Sequence, residues 1–143
     1  MNRVNKIIRY LIHWSGNILR NIQLIYIRAT GVKVGRNTMI SLRAKIDSRR
    51  GQVIIGDNCH ITYGCVILSY DYTARILGKE KDPEAGKVII GNNVFIGVNS
   101  VILPNVTIGD NSIIGAGSVV NMNIPANVIA AGNPVKILKD LGQ

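Results

Sequence analysis

The sequence predicts an all-β domain built as a prism of stacked three-sided coils, with an amphipathic helical segment before it and one protruding loop. Three observations carry this reading. From Val34 onward an aliphatic residue recurs every six positions, at Val34, Ile40 and Ile46, at Ile55, Ile61 and Ile67, and from Ile90 through Ile96, Ile102, Ile108 and Ile114 to Val120. The next residue is Gly at 35, 56, 91, 97, 109 and 115, and the fifth place of each unit is usually small, as at Thr38, Ala44, Cys59, Cys65, Ser100, Ser112 and Ser118. Aromatic residues make up only 5% of the chain, so the interior must be built of small aliphatic layers rather than large rings.

A period of six fits neither a helix nor a simple alternating strand. It fits short strands that each end in a turn where Gly or Asn accepts a positive φ. Each unit then forms one side of a prism, and three units close a coil of roughly 18 residues whose backbone pairs with the next coil at about 4.8 Å. The twelve aliphatic positions make four coils, and each Ile or Val buried between neighbouring coils contributes about 1.5 to 3 kcal/mol. The ends need other cover: the N-terminal helix at one, "NPVKILKDL" at the other. The 143 residues suit a single domain, read as a helical segment over 1–31, the prism over 32–139 with a loop at 73–89, and a tail at 140–143.

Residues 3 to 28 place Val4, Ile7, Leu11, Trp14, Ile18, Ile22 and Ile25 at steps of three and four, with Arg3, Lys6, Arg9 and Arg20 off that line. The pattern is an amphipathic helix, which Gly16 divides or bends and "ATG" at 29–31 ends. Its apolar stripe suits either a face covered within an oligomer or a helix lying on a membrane surface. Arg9 and His13 interrupt the apolar run before it could span a bilayer or serve as a signal core, so neither export nor a transmembrane span is expected.

The net charge of +9 is unevenly placed, with eleven Lys or Arg against Asp47 in residues 1–50 and six against seven acids in the rest. A segment so basic could meet phosphates, nucleic acid or an anionic membrane, or be a solvated helix. Nucleic-acid binding is not expected, because Tyr10, Trp14 and Tyr26 read as packing or interfacial groups rather than base-stacking platforms. Cys59 and Cys65 have no metal-type spacing and no disulfide framework, and both sit at inward places, so they read as core packing in a reduced, cytoplasmic setting. No metal site is expected, since His13 and His60 are the only histidines.

The text "VIIGNNVFIGVNSVILPNVTIGDNSIIGAGSVV", followed by "IPANVIAAGNPVKILK", resembles the hexapeptide-repeat acyltransferases, left-handed parallel β-helix enzymes of the maltose and galactoside O-acetyltransferase type. The resemblance covers residues 32 to 139. It implies a homotrimer with active sites in clefts between subunits, and acetyl-CoA as acyl donor. Carried over by residue, Val98 and Ala116 would line the pantetheine arm one coil apart. Asn121 and Met122 would follow on the next corner, with Met122 where the family commonly has lysine. Lys136 and Lys139 would approach the nucleotide phosphates. The acceptor it implies is a sugar or glycan hydroxyl, and the basic helix would suit a lipid-linked acceptor in surface-polysaccharide assembly at the inner face of the membrane.

The resemblance also implies a histidine as general base at the end of the coil before the loop. Here the text is "ILSYDYT", and two registers place either Tyr70 or Tyr72 in that position. An unperturbed tyrosine is protonated near neutrality, so it orients a hydroxyl more readily than it deprotonates one. Asp71 is therefore the expected base and the tyrosines its neighbours. Ser41 stands where close relatives hold the acceptor with asparagine. His60 reads as a surface residue on another side of the prism, and the loop as a cover for the acceptor. Two alternatives stay open: N-acetylation of an amino sugar, and a non-catalytic β-helix scaffold.

Overall fold

Among the described residues, 3–71, 76–78 and 86–142, the computed structural model has fourteen short strands and one long helix. Helix α1 (Arg3–Ala29) leads into four coils of three strands. These are β1 (Lys33–Val34), β2 (Met39–Ile40) and β3 (Lys45–Asp47); β4 (Gln52–Ile55), β5 (His60–Ile61) and β6 (Val66–Leu68); β7 (Lys87–Ile90), β8 (Phe95–Ile96) and β9 (Val101–Ile102); and β10 (Thr107–Ile108), β11 (Ile113–Ile114) and β12 (Val119–Val120). The strands stack into three sheets, β1-β4-β7-β10, β2-β5-β8-β11 continued by β13 (Val128–Ala131), and β3-β6-β9-β12, all paired in parallel, with β14 (Lys136–Asp140) added antiparallel on the edge of β13. Three corners separate the sheets: the first lies between sheets one and two, the second between two and three, and the third between three and one.

The repeat places the core as its periodicity requires. Ile40, Ile55, Ile61, Ile67, Ile90, Ile96, Ile102, Ile108, Ile114 and Val120 are buried, while Val34 and Ile46 in the first coil pack partly against them. The fifth-place residues are buried too, and most satisfy their polar atoms on turn carbonyls, as Thr38 Oγ1 does on Gly56 O (2.7 Å) and Ser118 Oγ on Gly115 O (2.6 Å). Cys59 and Cys65 do the same through sulfur, donating to Gly91 O and Gly97 O at 3.0 and 3.2 Å.

The turns assign glycine a different role from the expected one. Positive φ falls on Asn37, Asn58, Asn93, Asn99, Asn105, Asn111 and Asn127, and on Gly64 and Gly117, but not on the glycines that follow the aliphatic residues. Those glycines are small because the next coil is close: a Cβ on Gly56 would lie 2.6 Å from Gly91 O. Along the first corner the asparagines form a ladder, with Asn93 Nδ2 donating to Asn111 Oδ1 (2.9 Å) and Asn111 Nδ2 to Asn127 Oδ1 (3.0 Å).

Other expectations are corrected in detail. Gly16 does not divide α1 into two helices, since one glycine costs a helix only about 1 kcal/mol and proline is absent there. Strand β7 begins at Lys87, not after residue 89, because Lys87 to Ile90 pair in register with Gln52 to Ile55. Strand β14 extends through Asp140, because Asp140 still pairs with Val128 on β13. Coils are 18 residues long only where no insertion enters, as from Asn93 to Asn111; the first step is 21 residues and the one crossing the loop is 35.

Helix α1 covers the first coil with Ile27, which is buried, with Leu24, and with Gln23, whose Nε2 donates to Ser41 O at 3.1 Å. The apolar stripe of Ile7, Trp14, Ile18, Ile22 and Ile25 lies exposed on other faces of the helix. At the opposite end Val135 is buried and its N–H bonds to Val119 O (3.0 Å), while β14 runs antiparallel along the edge of β13.

Candidate active site

The end of β6 sets the third corner, where the hexapeptide rhythm stops. Ser69 is buried, its hydroxyl donating to Asp47 O one coil below. The chain then emerges with Tyr70 half-buried and Asp71 exposed. Tyr72 lies outside the described residues. Arg50 Nη1 donates to Tyr70 Oη at 3.1 Å, and its guanidinium stands 5.3 Å from the ring centroid, a cation–π contact that fixes the phenol. Beside it Arg49 binds Asp47 through two nitrogens, each at 3.0 Å. This hydrogen-bonded arginine holds the Asp47 carboxyl below the usual carboxylate range. Asp47, Arg49, Arg50 and Tyr70 together line a depression of about 280 Å³.

The second corner carries a separate column. Ser41 lies in the first coil, and its carbonyl accepts from Gln23 and from Ala44 N. With Leu42, Arg43, His60 and Tyr63 it lines a hollow of about 480 Å³, beneath Arg20 of α1. Arg43 braces Tyr63 as Arg50 braces Tyr70, donating to Tyr63 Oη at 3.1 Å. Above them Val98 and Ala116 are exposed and stacked one coil apart, with Val98 O accepting from Gly117 N (2.8 Å).

Asn121 and Met122, both exposed, follow β12 on the third corner, two coils beyond Tyr70. Lys136 and Lys139 are exposed on β14, opposite Ala131 and Ile129. One prism therefore brings Ser41, Val98 and Ala116 to one corner, and Tyr70, Asp71, Asn121 and Met122 to another. It does not bring the two groups together. Cys59 belongs to neither, and burial pushes its thiol up, away from nucleophilic duty. Among the described residues no cluster of His, Cys, Asp and Glu could hold a metal.

The six-residue count alone shows neither the two Arg–Tyr braces nor the sharing of one hollow by Ser41 and His60. Their signal was present: each arginine precedes its tyrosine by 20 residues, nearly the 21-residue first step, so the pairs stack in adjacent coils.

Comparison with known proteins decides the family. The model described as "Bacterial transferase hexapeptide (six repeats)" matches residues 87–121, and "Hexapeptide repeat of succinyl-transferase" matches residues 31–69. Protein CapG of Staphylococcus aureus is 46% identical over 127 residues, covering 85% of this chain and 73% of that protein. The chain belongs to the hexapeptide-repeat acyltransferase family.

Within that family, galactoside O-acetyltransferase of Escherichia coli (strain K12) is 38% identical, covering 78% of this chain. A solved galactoside acetyltransferase in complex with coenzyme A superposes with a TM-score of 0.72 at 38% identity, over 79% of this chain and 56% of the other. The likeness makes the fold a left-handed parallel β-helix, as the repeat and its resemblance implied. The chain spans only 55% of the length of the E. coli enzyme.

Proposed function

We propose that the protein is an acetyl-CoA-dependent O-acetyltransferase that acetylates a sugar hydroxyl, in a cleft completed by a neighbouring copy within a homotrimer. The carrying observation is the second-corner column: exposed Val98 and Ala116, one coil apart, on the edge of the sheet that ends in the basic strand β14. Gly117 beside them has open space where a Cβ would sit. A strip of small apolar groups with backbone amides fits a pantetheine arm, and Lys136 and Lys139 fit the phosphates as point charges. The relatives named for O-acetyl transfer and the neighbour holding coenzyme A support this reading.

The separation of the two corners supports a site between chains. Ser41, Val98 and Ala116 of one copy meet Tyr70, Asp71, Asn121 and Met122 of another only if two prisms pack side by side, which also excludes water from the cleft. Bound acetyl-CoA supplies the acetyl group as a thioester. Asp71 accepts the proton of the attacking sugar hydroxyl as its oxygen bonds to the acetyl carbon, and the departing sulfur takes up a proton. Tyr70, held by Arg50, orients the hydroxyl, and Tyr72 is its alternative. Ser41 positions the acceptor from across the boundary. The setting proposed is surface-polysaccharide assembly.

The test is mass spectrometry of mono- and oligosaccharides incubated with protein and acetyl-CoA, alongside calorimetry of cofactor binding. The reading expects an added acetyl ester on at least one sugar and saturable binding. An amide product from an amino sugar would replace O- with N-acetylation. Binding without any product would favour the non-catalytic scaffold, a reading that rests on the lack of histidine at "ILSYDYT".

A further inference from the structure

Helix α1 turns its apolar side away from the chain that carries it. Ile7, Trp14, Ile18, Ile22 and Ile25 are exposed, Trp14 by 60% and Ile25 by 67%. Contact with the prism comes from another side of the helix, through Gln23, Leu24 and Ile27. Folding of the chain therefore leaves this stripe in water, and a contiguous apolar face of this length marks a binding surface.

Charge identifies what covers it. Helix α1 holds Arg3, Lys6, Arg9, Arg20 and Arg28 and no acidic residue. The first coil, which α1 overlies, and the chain entering the second add Lys33, Arg36, Arg43, Lys45, Arg49 and Arg50, with Asp47 as the one acid up to residue 50. A second copy laid against this face would bring the same basic excess, so charge opposes it. An anionic bilayer is attracted to it. No helix among the described residues is long and apolar enough to cross a membrane. A helix with a broad apolar face, an opposite basic face and low mean hydropathy lies in the plane of the interface. Tyr10, Trp14 and Tyr26 are exposed along it, and such rings settle at headgroup level.

We propose that α1 docks the protein on an anionic phospholipid surface, its apolar face at the headgroup–acyl boundary and the first coil of the prism turned toward the lipid. The docking stands apart from the assignment of the active site.

Trp14 is the only tryptophan, so its emission reports the face directly. The full chain is mixed with vesicles of phosphatidylcholine and phosphatidylglycerol, or of phosphatidylcholine alone, and followed by Trp14 emission and by flotation. The expected result is a blue shift and flotation with the anionic vesicles, falling at least about tenfold without phosphatidylglycerol or at high salt. Ile18→Glu with Ile22→Glu should abolish both signals, and Lys6→Gln with Arg9→Gln should weaken them. An unshifted Trp14 and no flotation of the unmodified protein with anionic vesicles would overturn the proposal, as would equal binding to both lipids. A Trp14 already buried in a solution oligomer and indifferent to vesicles would assign the face to a second copy and overturn it too.

Discussion

A Cβ placed on Gly97 would lie 2.5 Å from the amide nitrogen of Ala116, so the close stacking of the second-corner column depends on a missing side chain. Gly97→Ala should destabilise the protein by about 1–3 kcal/mol, since it forces backbone apart in a packed coil, and chemical denaturation will read the loss. The sequence made the recurrence of these glycines plain but not their reason. Composition at a turn does not tell a residue that needs positive φ from one that must be small, and here asparagine, with Gly64 and Gly117, takes the first task and the glycines after the aliphatic residues take the second. At the break, the residues were legible and their partners were not, because Arg50 reaches Tyr70 only after the chain has closed a coil. If transfer occurs there, Asp71→Asn should lower kcat by about 10²–10⁴ and remove the ascending limb of its pH profile, more than Tyr70→Phe or Tyr72→Phe. Full activity in Asp71→Asn with loss in His60→Ala would move the base to the Ser41 hollow.

At the scale of elements, the three-and-four spacing identified α1 and its apolar stripe but not which side meets the prism. Periodicity finds an apolar face, whereas the contact is made by Leu24 and Ile27, which lie off the stripe near the helix end. Ile27→Ala should therefore cost about 2–5 kcal/mol, as for other buried aliphatic side chains, and Ile22→Ala within about 0.5 kcal/mol in lipid-free solution; thermal denaturation of the two variants compares them. In the sequence β14 shows only as a cap and a basic tail, and its antiparallel pairing with β13 emerges only from the fold, since the reversal through Gly132 and Pro134 carries no hexapeptide signal. Lys136→Ala combined with Lys139→Ala should weaken acetyl-CoA binding by about 1–3 kcal/mol, the loss of charged hydrogen bonds. Calorimetry giving an unchanged affinity would show the strand to be merely solvated.

For the whole molecule, the repeat alone dictated four coils and a buried aliphatic stack, because every six-residue unit makes the same local demand. The assembly of the site was less legible. A hexapeptide count places residues on corners, and the corners chosen for acceptor and base differ, so the proposed chemistry requires a second prism. A structure of the protein with coenzyme A tests this most directly. The account predicts the pantetheine arm along Val98 and Ala116 of one copy, with its sulfur within about 4 Å of Asp71 or Tyr70 of the neighbouring copy, close enough to serve a hydroxyl held between them. Coenzyme A bound wholly within one prism, or with its sulfur far from the third corner of any neighbour, would contradict it.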